Sequence, residues 1–239
     1  LGSALASARH GVKLVGMEMT SLGDTAVVIE FGDVVKETTL SRVRALTESL
    51  RENPLLGTLD VVPAYTTVTV FYDLKVSGGY ESFSDGLRQR ATARKTRKSK
   101  WGRVVTIPVC YGEEGGPDLA RVAAQAKLSV EATVALHSKP GYAVGAIGFA
   151  PGFPYLVGLS PSLHTPRLDA PRAKVPAGSV GIGGGQTGVY PVESPGGWNL
   201  IGRTPLALFR PDESEPALLR VGDVVRFKAI TEKEFHAWK

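Results

Sequence analysis

Glycine and proline are crowded into one part of this chain. Residues 140–211 hold 11 of the 16 prolines, and residues 141–202 hold 14 of the 28 glycines. Proline removes a helical hydrogen bond, and glycine costs a helix about 1 kcal/mol relative to alanine. That stretch can hold little helix. Its short apolar runs, separated by turn residues, predict a mostly β domain, and many short strands favour a closed barrel.

The residues before it follow another pattern. Leu14 to Met19 and Ala26 to Phe31 are short apolar runs around Leu22-Gly23-Asp24. Leu40, Val43, Leu46, Thr47 and Leu50 then share one helical face, which Asn53-Pro54 ends. Leu59 to Val62 and Thr67 to Tyr72 read as strands. Tyr80, Phe83, Leu87 and Ala91 return to helical spacing. This ββαββα order predicts an α+β domain: a four-stranded antiparallel sheet with two helices on one face. The expected organisation is a flexible leader over 1–14, a small α/β domain over 15–98 and a β-barrel domain over 99–239. Within the barrel domain, Val104 to Val109 opens as a strand, and Pro117-Asp118 starts a helix running to Ala126. Ser129 caps another helix, and Leu218–Val221 with Val224–Phe227 predicts a hairpin about Gly222-Asp223.

Composition removes several classes of function. With 239 residues, 43% hydrophobic and 21% charged, the chain is long and apolar enough to bury a core without staples. Cys110 is the one cysteine, so disulfides and cysteine-ligated zinc are excluded, and a reducing cytoplasm is the expected compartment. No apolar run reaches the ~18–20 residues of a membrane-spanning helix. The net charge of +5 is local. Arg88, Arg90, Arg94, Lys95, Arg97, Lys98, Lys100 and Arg103 lie in an acid-free stretch, and the remaining chain has 20 basic residues against 23 acidic ones. One such run reads as a solvated helix end and linker, not as a nucleic-acid surface.

Motifs exclude more than they assign. Gly183-x-Gly185-x-x-Gly188 matches the dinucleotide fingerprint, but Tyr190-Pro191 follows where a helix must begin. There is no Walker loop, no G-x-S-x-G elbow and no Met-Lys-Met biotin attachment sequence. The four histidines are scattered, with no metal-ligand spacing. What remains is a dense set of turn-rich segments: Gly148 to Leu156, Pro171 to Pro191 and Ser194 to Pro205. Their polar residues are flanked by glycine or proline, as in loops that build anion and carbonyl sites. Arg172, Lys174, Gln186, Thr187, Trp198, Asn199 and Arg203 are the candidates.

GFAPGFPYL (148–156), PRAKVPAGSVGIGGGQTGVYP (171–191) and SPGGWNLIGRTP (194–205) closely resemble the KipI family, also called allophanate hydrolase subunit 1 or the B component of 5-oxoprolinase. LGDTAVVIEFG (22–32), VVPAYTTVTVFYD (61–73) and LHS (136–138) fit it too, so the likeness spans about residues 15–239. The resemblance implies a small α/β domain followed by a cyclophilin-like barrel. It also implies a subunit of an ATP-dependent 5-oxoprolinase. Its partners would be a carboxyltransferase-like subunit (the C component of 5-oxoprolinase, or allophanate hydrolase subunit 2) and a third, substrate-binding subunit. ATP with magnesium would act through the assembled complex, with no biotin on this chain.

Phosphorylating a lactam oxygen creates a leaving group, and developing oxyanions need cations and hydrogen-bond donors. In that reading Arg203, Arg172 and Lys174 supply charge, while Gln186, Thr187 and Asn199 supply hydrogen bonds. Tyr190, Trp198 and Phe153 complete the substrate-binding set. With no nucleophile or general base in evidence, the chain alone is expected to be inactive. The family leaves two alternatives open: an inhibitor of a sporulation histidine kinase, contacting it through Phe149, Phe153, Tyr155 and Trp198, or a subunit related to allophanate hydrolase and urea carboxylase.

Overall fold

The computed structural model describes residues 12–14, 16–93 and 102–238. The chain divides into two compact units, Leu1–Lys100 and Trp101–Lys239.

The first unit is an antiparallel sheet with helices. Its strands are β1 (Val12–Leu14), β2 (Met17–Ser21), β3 (Ala26–Glu30), β4 (Thr58–Ala64) and β5 (Thr67–Tyr72), in the order β1-β2-β3-β5-β4. Helix α1 (Glu37–Glu52) links β3 to β4. A short α2 (Leu74–Ser77) and α3 (Tyr80–Thr92) follow β5. Alternation along β5 turns Val68, Val70 and Tyr72 inward. Val43, Leu46 and Leu50 of α1 and Phe83 and Leu87 of α3 pack on that face, and Tyr72 stacks on Phe83 at 4.4 Å. Two features differ from the sequence expectation. The sheet has five strands, because Val12–Leu14, placed in the expected leader, pairs antiparallel with β2. The extra helix α2 forms because the Asp73 carboxylate accepts from the Lys75 amide at 2.8 Å and caps it.

The second unit is a closed barrel. Strands β6 (Val104–Tyr111), β7 (Gly141–Ile147), β8 (Pro154–Val157), β10 (Ser179–Gly183), β11 (Gln186–Val189), β13 (Asn199–Arg203) and β14 (Val224–Ile230) close in the order β10-β11-β8-β7-β14-β6-β13. Closure leaves no open sheet edge. Ile107, Val109, Val144, Leu156, Val180, Ile182, Val189, Ile201 and Val225 form its core. Helix α4 (Leu119–Ala126) adds Leu119 and Val122 to that core. Helix α5 (Val130–Ser138) begins where Ser129 accepts from the Ala132 amide. A separate two-stranded ribbon pairs β9 (Arg172–Val175) with β12 (Ser194–Gly196), and α6 (Glu232–His236) is the last element among the described residues.

The expected hairpin about Gly222-Asp223 does not form. β14 has both flanks occupied, by β6 in parallel and by β7 antiparallel, and Leu218–Val221 forms no strand. Asp223 instead ties the turn down: its carboxylate accepts from Arg103 Nη2 at 2.8 Å and from the Arg220 amide at 2.9 Å. The basic run is described only in part. Arg94, Lys95, Arg97, Lys98 and Lys100 lie outside the described residues. Arg88 pairs with Asp85, Arg90 donates to the Ser49 and Asn53 carbonyls, and Arg103 holds Asp223.

Candidate functional site

The three turn-rich segments converge on one small aromatic core. Phe153, Val175, Tyr190, Trp198 and Leu200 are buried together, with Ala150 and Tyr155 packed against them. Phe153 is the hub. Its ring lies 5.0 Å from Tyr155, 5.2 Å from Tyr190 and 5.4 Å from Trp198, each near edge-to-face. The glycines of the false dinucleotide fingerprint explain how this fits. They lie on the β10–β11 hairpin, where Gly183 pairs with Gln186 across a two-residue turn. A Cβ on Gly183 would overlap the Trp198 indole. One on Gly188 would meet the Pro154 carbonyl oxygen at 2.6 Å and Trp198 Cζ3 at 3.1 Å. These glycines let an indole lie flat on the strands.

The three candidate cations have separate partners. Arg172, at the start of β9, donates through Nη2 to Asp118 Oδ1 at 2.8 Å, and the other Asp118 oxygen accepts from the Leu200 amide at 2.7 Å. Asp118 precedes α4 without capping it, so its carboxylate is committed to this bridge. Lys174 is exposed and pairs with Glu193 at 3.3 Å. Arg203, the last residue of β13, donates from Nε to the Ala177 carbonyl at 2.9 Å, and its two Nη groups carry its remaining donors.

The candidate hydrogen-bonding residues divide in the same way. Asn199 is fully buried, and its amide nitrogen donates to the Pro166 and Ile182 carbonyls at 2.9 and 3.0 Å. Thr187 is also fully buried, donating to the Gly181 carbonyl at 3.0 Å. Gln186, at the hairpin tip, is half-buried. Phe153, Tyr190 and Trp198 gather around one centre, while Thr187 and Asn199 are structural members of the barrel wall. Burial raises the Tyr190 phenol pKa, tempered by its bond to the Trp198 backbone and by the charges of Arg167 and Arg172.

Thr187 leads to a network that spacing in the sequence did not reveal. His137 on α5 is fully buried, with Nδ1 2.8 Å from the Tyr111 hydroxyl and Nε2 2.9 Å from Thr187 Oγ1. Because Thr187 commits its proton to Gly181, it must accept from His137. The imidazole is therefore the neutral Nε2–H form, and Nδ1 accepts from Tyr111. Burial lowers the His137 pKa to about 3 and raises that of Tyr111. Sealed and neutral, His137 has no surface through which to exchange a proton with a ligand.

Three further residues belong to this region. Asp118 gave no local signal, since 54 positions separate it from Arg172. Arg167 lies over the Trp198 ring, its guanidinium carbon 6.0 Å from the centroid. Phe149, 5.4 Å from Phe153, is 63% exposed and has φ of 71°. The surface thus offers aromatic faces beside cations. Among the described residues there is no group of three histidine, cysteine or acidic side chains placed to hold a metal, and no helix long and apolar enough to cross a membrane.

Residues 17–219 match the family model of the carboxyltransferase domain, subdomain C and D. A Bacillus subtilis protein named as the B component of 5-oxoprolinase is 45% identical over 234 residues, covering 94% of this chain and 98% of its own. An Escherichia coli O157:H7 protein of the same name is 45% identical over 213 residues, covering 89% and 95%. The crystal structure of TTHA0988 superposes with a TM-score of 0.75 at 43% identity. It covers 86% of this chain, which in turn spans 40% of that longer one. The aromatic core and its glycine cradle lie within the matched region, and the chain belongs to the carboxyltransferase-domain family that includes these named 5-oxoprolinase subunits.

Proposed function

We propose that this chain is one subunit of an ATP-dependent 5-oxoprolinase-type complex that opens the lactam of 5-oxoproline to glutamate, with a cyclophilin-like barrel as its larger part. The observation that carries the reading is the end-to-end match to a protein named as a 5-oxoprolinase subunit, at 45% identity over 98% of that protein. The proposed partners are a carboxyltransferase-like subunit and a third, substrate-binding subunit, in the cytoplasm.

ATP supplies the phosphoryl group that makes an amide oxygen a leaving group. This chain's contribution is to hold charge and exclude water. The Nη groups of Arg203 can grip a carboxylate or phosphate through two parallel hydrogen bonds. Arg172, already bridged to Asp118, stiffens the wall beside Trp198, and its Nη1 approaches the Trp198 carbonyl at 3.5 Å. Lys174 sits on the exposed ribbon where its pair with Glu193 is readily exchanged. Arg172, Lys174 and Arg203 are engaged one by one with different partners, which supports a nucleotide site completed by groups from other subunits.

Reconstitution tests this. The three subunits together should hydrolyse 5-oxoproline with stoichiometric ATP consumption, and omission of this chain should remove both activities. Lactam hydrolysis that proceeds without this chain, or without ATP, overturns the proposal.

A further inference from the structure

Phe149 is placed against its own stability. Its φ of 71° lies in the left-handed region, which disfavours side chains other than glycine, and its ring is 63% exposed. A buried aromatic would offset such a conformation through packing; this one stays largely in water. Backbone strain at an exposed side chain points to use of that side chain by another molecule.

The turn that carries Phe149 is held rigid. The Gly148 amide donates to the Phe153 carbonyl at 3.1 Å, and the Phe153 amide returns to the Ala150 carbonyl at 3.0 Å. Beneath it, Phe153 and Tyr190 are almost wholly buried, and Phe149 meets them edge-to-face at 5.4 and 6.3 Å. The ring is therefore an ordered knob standing on a packed base. Arg167 belongs to the same aromatic group through Trp198. It is exposed and has no carboxylate partner among the described residues, whereas Arg172 and Lys174 are each neutralised.

We propose that Phe149 and Arg167 form a docking surface for the carboxyltransferase-like partner subunit, Phe149 entering an apolar socket whose rim presents a carboxylate to Arg167. This rests on the reading of the chain as a subunit of a complex. Shape and charge both favour a protein as the occupant. A convex ring inserts into a pocket, and the unpaired guanidinium calls for an acid in the facing surface. Aromatic and arginine side chains set on rigid supports are the usual anchors of such interfaces.

The probe is the carboxyltransferase-like subunit of the same host, titrated onto this chain by calorimetry. Phe149→Gly removes the ring and relieves the backbone, so its melting temperature should equal or exceed that of the parent while the Kd rises at least 100-fold. Arg167→Glu should weaken binding about 10-fold or more and reverse the sign of the salt dependence. Unchanged affinity in folded Phe149→Gly overturns the docking surface and leaves the functional reading intact. Unchanged affinity accompanied by a raised KM for 5-oxoproline in the complex overturns it too, by showing that the ring serves the small molecule. Failure of the parent chain to bind this subunit overturns the partner named here together with the functional reading.

Discussion

At the scale of single residues, His137 gives a pH dependence with a definite sign. Its folded pKa of about 3 lies below the ordinary 6.5, so the unfolded chain takes up the proton first. The contribution is fully present above pH 6.5 and is lost as pH falls toward 3, at up to ~1.4 kcal/mol per pH unit. Urea titrations at pH 7.5 and 5.5 should show a loss of roughly 1.4 kcal/mol in the parent. In His137→Gln the loss should be much smaller. An equal loss in both would show that other groups dominate this window.

The Asp118 carboxylate is nearly buried and accepts from both Arg172 and the Leu200 amide. Removing it strands two donors, so Asp118→Ala should cost about 2–4 kcal/mol, and Asp118→Asn, which keeps one acceptor oxygen, less. Denaturant midpoints decide the order; a milder effect for alanine than for asparagine contradicts it. Arg203 has two roles to separate. Arg203→Ala loses the bond to Ala177, worth about 1 kcal/mol, and in the assembled complex should lower turnover about 100-fold or more. Turnover that falls only with the folded fraction would reduce Arg203 to a structural tie.

At the scale of elements, the β10–β11 hairpin shows what glycine does in a strand. Gly183 is there because the Trp198 indole occupies the space a side chain would fill. Gly183→Ala must push the indole off the strand and should destabilise the barrel by about 1–3 kcal/mol, as overpacking does. Trp198 is one of three tryptophans, so its displacement should be visible as a red shift in fluorescence that Trp198→Phe removes. An unshifted spectrum and unchanged stability would mean the hairpin adjusts freely. The same element shows why a motif match needs its context. Gly183, Gly185 and Gly188 have the spacing of a phosphate loop, yet they form a β-hairpin. Tyr190-Pro191, visible in the sequence, already denied them a helix.

At the scale of the whole molecule, the proposed chemistry is divided between chains. The purified chain alone should hydrolyse neither ATP nor 5-oxoproline at a useful rate, checked by coupled assay against a mock purification. Robust turnover by this chain alone would overturn that division.

Local patterns determined much of the architecture. Helical spacing from Leu40 to Leu50 and from Tyr80 to Ala91 marked α1 and α3, because an amphipathic helix writes its buried face into the sequence every three to four residues. Clustered glycine and proline marked the barrel domain, and the residues of its turn-rich segments included Phe153, Tyr190 and Trp198 of the aromatic core. Partners distant along the chain were decided only by the tertiary structure. It joined β14 in parallel to β6, 120 positions away at Val224 and Val104, where a local hairpin had been expected. It sealed Thr187 against His137, matched Arg172 to Asp118, and left Phe149 strained and exposed beside Arg167. Periodicity records which face of an element is buried, because that depends on neighbours a few residues apart. Which buried group meets which depends on barrel closure, a constraint shared by all seven strands and carried by none of them alone.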